Sequence, residues 1–438
     1  MRPGTLLVVT ICGLAAALAP ASAGVKEKVL IDLRRKDGGY PWGTPIFDAG
    51  GNLYATAFLG GKHGGGTLFE LSGAKAGKGA IRVLHDFGKR YDFDHPKDGD
   101  EPSGPLTFDS AGNLYGTTYL GGKYANPDTG GGIVYRLAPV RNGAWTETVL
   151  HDFGNGQDAA EPNGGVILDA SGNLYGTSEI GSAFAGNCSG LGCGGVFELS
   201  PDGKGGWTET SLHGFGSSGD GYYPYGSLVA DSAGNIYGTT MYGGAHGDGI
   251  VFELSPGTKG EWTETVLYSF CARTNCADGA YPFDGLTLDA AGNLYGTTNS
   301  GGTTGNCLFG STCGTVFELS LANGQWTESV LHAFTGSDGD GPTANVVFDA
   351  AGNLFGTAYF GGSDACDMGC GTVFELTPGQ NGSWSETTLH QFQNGRDGTN
   401  PYGGLVPDAA GRVYGGSSSG PGTGCGGFGC GAIYSIRP

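Results

Sequence analysis

Short runs of alternating apolar and polar residues, separated by Gly, Asn, Asp and Ser, recur along most of the chain. In one stretch four such runs follow one another at residues 285–289, 293–298, 314–319 and 326–334. They are rich in Val, Leu, Phe, Tyr, Trp and Thr, and the period of two predicts short β-strands. The block then returns at fixed spacing. The Gly of its Gly-Asn step falls at Gly51, Gly112, Gly172, Gly234, Gly292 and Gly352, with a degenerate copy at Gly411, so the intervals are 61, 60, 62, 58, 60 and 59 residues. Four antiparallel strands in a unit of about 60 residues match a β-propeller blade, whereas solenoid repeats are usually shorter and often helical.

The ends of the chain set the blade number. The first three strand types occur seven times. The fourth type reaches seven copies only by counting residues 25–33, which align with the Trp-Thr-Glu-Thr-Val-Leu-His-x-Phe runs, and the chain stops after a third-type strand at 432–436. The fold class that follows is all-β: a seven-bladed β-propeller, four antiparallel strands per blade, closed by pairing the N-terminal strand with the C-terminal blade.

The links fall into two kinds. The first turn of each repeat starts with Asp48, Asp109, Asp169, Asp231, Asp289, Asp349 or Asp408. An Asp there accepts backbone N–H bonds, so seven copies point to a turn rather than to catalysis. The second-to-third and inter-blade links are long and variable, the latter carrying Asp-Gly-x-x-Pro, as at Asp220 to Pro224. A meander puts both long links on one face of the disc, where specific function is expected.

Composition narrows location more than activity. Glycine makes up 90 of 438 residues at fixed repeat offsets, without the triplet period of collagen. A net charge of −20 argues against nucleic acid and anionic membrane surfaces as partners. Residues 1–23 read as a signal peptide, with Arg2, an apolar run at 6–18 that is too short to span a bilayer, and the small-residue site at 21–23. Residues 24–438 are then a single exported domain, expected to be a monomer that is secreted, periplasmic or at the cell surface. Beyond Cys12, all ten cysteines form close pairs, Cys188/Cys193, Cys271/Cys276, Cys307/Cys313, Cys366/Cys370 and Cys425/Cys430. In an exported chain these read as disulfides, each closing a loop and adding about 2 kcal/mol. Zinc is the competing reading, but no pair has a second pair beside it in sequence.

Residues 231–270 carry the repeat motif almost whole: Asp-x-x-Gly-Asn-Leu-Tyr-Gly-Thr-Thr, then Gly-Gly, then Gly-x-Val-Phe-Glu-Leu-Ser-Pro, then Trp-Thr-Glu-Thr-Val-Leu. On these motifs the chain resembles the GloVer tandem-repeat family of exported bacterial proteins, and its strand order is similar to that of NHL-type propellers. The resemblance implies export, in many members with a C-terminal anchor, and brings no substrate, cofactor or catalytic residues.

The sequence contains no nucleophile motif, zinc-protease motif or phosphate loop. His85, His151, His213, His332 and His390 share one strand position and read as structural, while His63, His95 and His246 lie in variable links without metal spacing. Asp98 to Glu101 and Asp338 to Gly341 resemble calcium loops but lack the later ligands of an EF-hand, so calcium stays a weak expectation. The copies diverge just after the second strand, at Phe58, Tyr119, Tyr242, Tyr359 and Phe360 among others. These aromatics are expected either to stack on a ligand or to cap the core between blades. The functional expectation is a scaffold that recognises a glycan or an extracellular protein through the disulfide-pinned face. The alternative is an extracellular carbohydrate-active hydrolase or lyase, marked by unique acids converging at the channel mouth. The insertion at 89–95 is either a recognition loop or a tolerated surface insertion.

Overall fold

The computed structural model describes residues 25–77, 79–89, 96–125, 131–155, 158–181, 188, 192–307, 310–420, 424–425 and 429–438. The expected signal peptide and all but the first residue of the 89–95 insertion lie outside the described residues.

Each blade is organised by its Asp turn. Asp289 Oδ1 accepts the backbone N–H groups of Ala291 and Asn293, both at 2.8 Å, and Oδ2 accepts Asn293 Nδ2 at 2.9 Å. Gly292 takes the left-handed conformation the turn requires, at φ 90°. The turn joins Thr287–Leu288 to Leu294–Thr298, which pairs with Thr315–Ala322 and then Gln325–Ala333. The cage repeats around Asp231, whose burial would raise its carboxyl. Bonds from Asn235, Tyr237 and the Ala233 N–H nevertheless hold it below the usual range. The first strand is only two residues long, shorter than the five that alternation suggests, because Asp289 belongs to the turn and Gly285 lies against the preceding blade, where a Cβ would come within 2.4 Å of the Ser227 carbonyl oxygen.

Seven such antiparallel sheets form the ring, each of four strands, with the short Asp100–Pro102 pairing as a fifth beside Leu114–Leu120 in the second. Lys26–Asp32 pairs antiparallel with Ala432–Arg437, so the first described strand completes the last blade. The core lies between blades. A Phe ending one fourth strand meets a Phe on the third strand of the next blade, as in Phe153–Phe197 at 4.9 Å, Phe215–Phe252 at 5.0 Å and Phe334–Phe374 at 5.1 Å. The repeated second-strand glycine makes room for that ring, since a Cβ on Gly238 would lie 2.6 Å from Phe252 Cζ. In two blades the Phe becomes Tyr135 or Tyr434, fully buried with an unpartnered hydroxyl. Such a group costs about 1–3 kcal/mol, so Tyr135→Phe is expected to raise stability by about 1 kcal/mol in urea titration.

Polar groups also meet between blades. Glu147 faces His85 and Asp98 of the preceding blade. Burial pushes its carboxyl up to about 7; the His85 charge opposes the rise, while Asp98 and Asp152 add to it. A raised carboxyl favours the folded state when protonated. That contribution is complete below the ordinary value of 4.5 and is lost as pH rises through about 7. Glu147→Gln is therefore expected to unfold at higher urea than the parent above pH 7, and at no higher urea at pH 4.5.

All five expected disulfides are formed, with Cα–Cα distances of 4.0–5.3 Å, and all lie in the long links. They fit an oxidising extracellular or periplasmic setting. Among the described residues no helix is long and apolar enough to cross a membrane.

Candidate functional site

Every inter-blade link descends to the axis through an x-Pro-x step. The residues before the prolines, Tyr40, Glu101, Glu161, Tyr223, Tyr281 and Asn400, hold φ between 56° and 62°, and Gly341 holds 61°. This left-handed region is costly for side-chain-bearing residues and survives only where neighbours fix it. Here both backbone groups are tied. The N–H groups of Tyr40, Tyr223, Gly341 and Asn400 reach the carbonyls of Cys430, Cys193, Cys313 and Cys370 at 2.7–3.1 Å. Four of the disulfides thus pin the acceptors for the next blade. The carbonyls of Tyr40, Glu161, Tyr223 and Asn400 accept from Phe58, Glu179, Met241 and Ser418, the positions just after the second strands. The two variable positions are thereby locked side by side.

Below this layer the ring narrows on backbone contacts. A Cβ on Gly226 would lie 2.3 Å from the Asp284 carbonyl carbon of the next blade, so no larger residue fits without displacing that backbone. Second-strand threonines bridge adjacent blades here: Thr117, Thr177, Thr239 and Thr297 donate to the carbonyls of Gly164, Gly226, Asp284 and Ala344 at 2.8–3.0 Å. The repeated Thr is an inter-blade staple.

The residues after the prolines line a cavity of about 40 Å³ at the axis, among them Trp42, Tyr225, Phe283 and Tyr402. Around it runs a connected chain of side chains. Trp42 packs on Phe58 at 4.0 Å and on Tyr402 at 4.7 Å, and Tyr402 meets Tyr359 at 5.8 Å and Phe283 at 6.1 Å. Phe283 stacks on Tyr225 at 4.9 Å, and Tyr225 donates to Glu179 at 2.7 Å. Tyr119 donates to Glu161 at 2.9 Å and also interacts with Glu179. The mouth is therefore asymmetric, with aromatics on the first, fourth, fifth, sixth and seventh blades, and Tyr119 of the second beside the acids Glu161 and Glu179 at the third.

Burial governs these acids. It raises Glu161 against the bond from Tyr119, and raises Glu179 against bonds from Tyr225 and Tyr119. Glu101 is pushed up to about 7 by burial, with Asp100 adding. Asp284 lies deep in the ring but keeps accessible surface because it faces the cavity, and burial raises it despite N–H bonds from Gly285, Asn345 and Ser227. The arrangement offers apolar ring faces beside carboxyl groups whose hold on a proton burial has strengthened.

Of the aromatics expected from sequence, Phe58, Tyr119 and Tyr359 reach the mouth. Tyr242 instead stacks on Tyr222 at 5.4 Å and meets Tyr281, while Phe360 packs against Tyr359 at 4.5 Å. The residues flanking the prolines were not singled out by the sequence reading, although their divergence beside a repeated Pro was visible in it. In the apparent calcium loops, Asp338 Oδ2 lies 2.9 Å from His332 and Asp98 Oδ1 accepts the Lys89 N–H at 3.0 Å.

Comparison with solved structures supports the fold. An ancestral GH74 enzyme superposes with TM-score 0.55 at 10% identity, over 91% of this chain and 47% of that one. A polysaccharide lyase, a PL25 ulvan lyase, gives 0.54 at 13% identity over 94% and 98%. Its structure bound to -[GlcA(1-4)Rha3S]- gives 0.52 at 13% identity, over the same shares. At such identities the likeness is one of fold alone. No curated protein matches the chain. The sequence profile described as the Gloeobacter/Verrucomicrobia repeat matches residues 13–179, 90–309 and 308–438.

Proposed function

We propose that this chain, which belongs to the Gloeobacter/Verrucomicrobia repeat family, is an exported module that holds a carbohydrate chain at the channel mouth of its disulfide-pinned face. The observation that carries the reading is the continuous run from Phe58, Trp42 and Tyr402 through Phe283 and Tyr225 to Glu179, Tyr119 and Glu161. Aromatic faces take the apolar faces of sugar rings, and carboxylates accept their hydroxyl groups. The acids and the net charge of −20 disfavour uronate or sulfated chains, so the ligand class is a neutral glycan. The PL25 lyase bound to -[GlcA(1-4)Rha3S]- is an example of a similar architecture receiving a polysaccharide, there an acidic one.

A second reading, hydrolysis of the same glycan, is favoured by one feature. Tyr119 lies between Glu161 and Glu179, and buried carboxyl groups of unequal environment suit acid and base roles. A neutral-glycan array followed by a reducing-end assay separates the readings. Binding that Trp42→Ala removes, without new reducing ends, supports the module. New reducing ends made by the parent and not by Glu179→Gln support the enzyme. Failure of every neutral glycan to bind contradicts both.

A further inference from the structure

Away from the channel, the outer rim repeats a constellation that the proposed function does not use. His and Asp of one blade meet a fourth-strand Glu of the next: His213 and Asp220 with Glu264, and His332 and Asp338 with Glu386. In these two trios one ligand atom from each residue lies within 4.8 Å of the others. We propose that both are sites for a divalent transition-metal cation of the zinc class, which would cross-link adjacent blades.

The ligands are already oriented. His213 Nε2 lies 3.2 Å from Asp220 Oδ2, and His332 Nε2 lies 2.9 Å from Asp338 Oδ2. The other oxygen of each Asp is fixed from behind. Asp220 Oδ1 accepts the Gly221 N–H at 2.7 Å, and Asp338 Oδ1 accepts the N–H and hydroxyl of Thr335 at 2.9 Å. Such outer bonds orient metal ligands. Glu264 Oε1 is buried without a hydrogen-bond partner. The imidazoles are about a fifth exposed, at 22% and 19%, so an ion can reach them from solvent. One imidazole with two carboxylates leaves a fourth position for water and suits zinc rather than an all-oxygen calcium site.

The remaining interfaces supply an independent argument that this position takes a cation. Between the fourth and fifth blades the His is Tyr268, and Arg273 places its guanidinium 2.6 Å from the fully buried Glu328, beside Asp278. There a side-chain cation fills the place. Where the last blade meets the first, Ile31 stands at the His position and Ile81 at the Glu position, both packed into the apolar core. There the Glu is lost together with the His, while Asp37 keeps the Asp position and lies 3.4 Å from Arg34, so the retained carboxylate again has a positive partner. At the other His-bearing interfaces, among the described residues, the three ligand atoms do not all approach this closely.

The test uses the full disulfide-bonded chain, stripped with chelator and titrated with zinc chloride by calorimetry, with thermal unfolding in parallel. The result expected is two equivalents bound and a raised melting temperature, with calcium chloride having neither effect at these sites. Glu264→Gln with Glu386→Gln keeps both imidazoles and is expected to weaken zinc binding by about tenfold or more. The double variant should melt no lower than the parent without metal, which keeps loss of binding distinct from loss of fold. His213→Gln with His332→Gln should bind no zinc at these sites. Zinc bound equally by the parent and either double variant, or not bound by the parent, overturns the proposal. Neither result bears on glycan binding at the channel mouth.

Discussion

A chain lacking residues 25–33 is expected to lose cooperative folding and to aggregate. Lys26–Asp32 supplies the outer strand of the last blade, and without it Ala432–Arg437 becomes an open edge. Leu33 is 3% exposed, and Leu30 and Ile31 pack into the cluster joining the last blade to the first. Burying three such side chains contributes roughly 5–9 kcal/mol as an upper figure, at about 1.5–3 kcal/mol each. That is comparable with the whole stability of an ordinary domain, about 5–15 kcal/mol. Ring closure is moreover the one contact that no other strand can replace. The open edge carries the buried residues Ile433, Tyr434 and Ile436, a template for pairing with another chain. Thermal unfolding with light scattering reads the loss, and a synthetic 25–33 peptide added to the truncated chain should restore a cooperative transition. An unchanged transition in the truncated chain would mean that the ring is held elsewhere.

Phe252→Ala is expected to lower stability by about 3–5 kcal/mol, the usual cost of removing a buried aromatic. Phe252 is 0% exposed, meets Phe215 of the preceding blade at 5.0 Å and lies over Gly238, which has no side chain to fill the gap. The cavity therefore opens between two blades and cannot collapse without moving both sheets. Phe252→Leu retains most of the volume and should cost less than about 1.5 kcal/mol. Urea unfolding of both variants checks the pair. Equal losses would show that the edge-on ring contact, rather than the filled apolar volume, holds the interface.

The parts legible in sequence were those written within a single repeat. Asp289 and Gly292 form the turn that their residue types imply, and each Cys pair joined partners four to six residues apart. Closure was legible too, because the motif of residues 25–33 is a displaced fourth strand. The channel mouth was legible only in part. Phe58 and Trp42 belong to one blade, but Trp42 and Tyr402 stand 360 residues apart and meet only because the ring closes. Periodicity marks equivalent positions without saying which of them face the axis. The same limit hid the rim trios. His213 and Asp220 are close in sequence, but Glu264 arrives from the next blade, so ligand spacing along the chain showed no metal pattern.

The central claim is that one asymmetric mouth, built where the disulfide-pinned links descend to the axis, receives a neutral glycan. The most direct test is calorimetric titration of the best array-selected neutral oligosaccharide into the parent chain and Trp42→Ala, with Trp207→Ala on an outer strand as control. The account predicts that Trp42→Ala weakens binding at least about tenfold, as removal of a central aromatic anchor does, while Trp207→Ala leaves it unchanged. Equal affinity for the parent and Trp42→Ala, or loss only in Trp207→Ala, would contradict it.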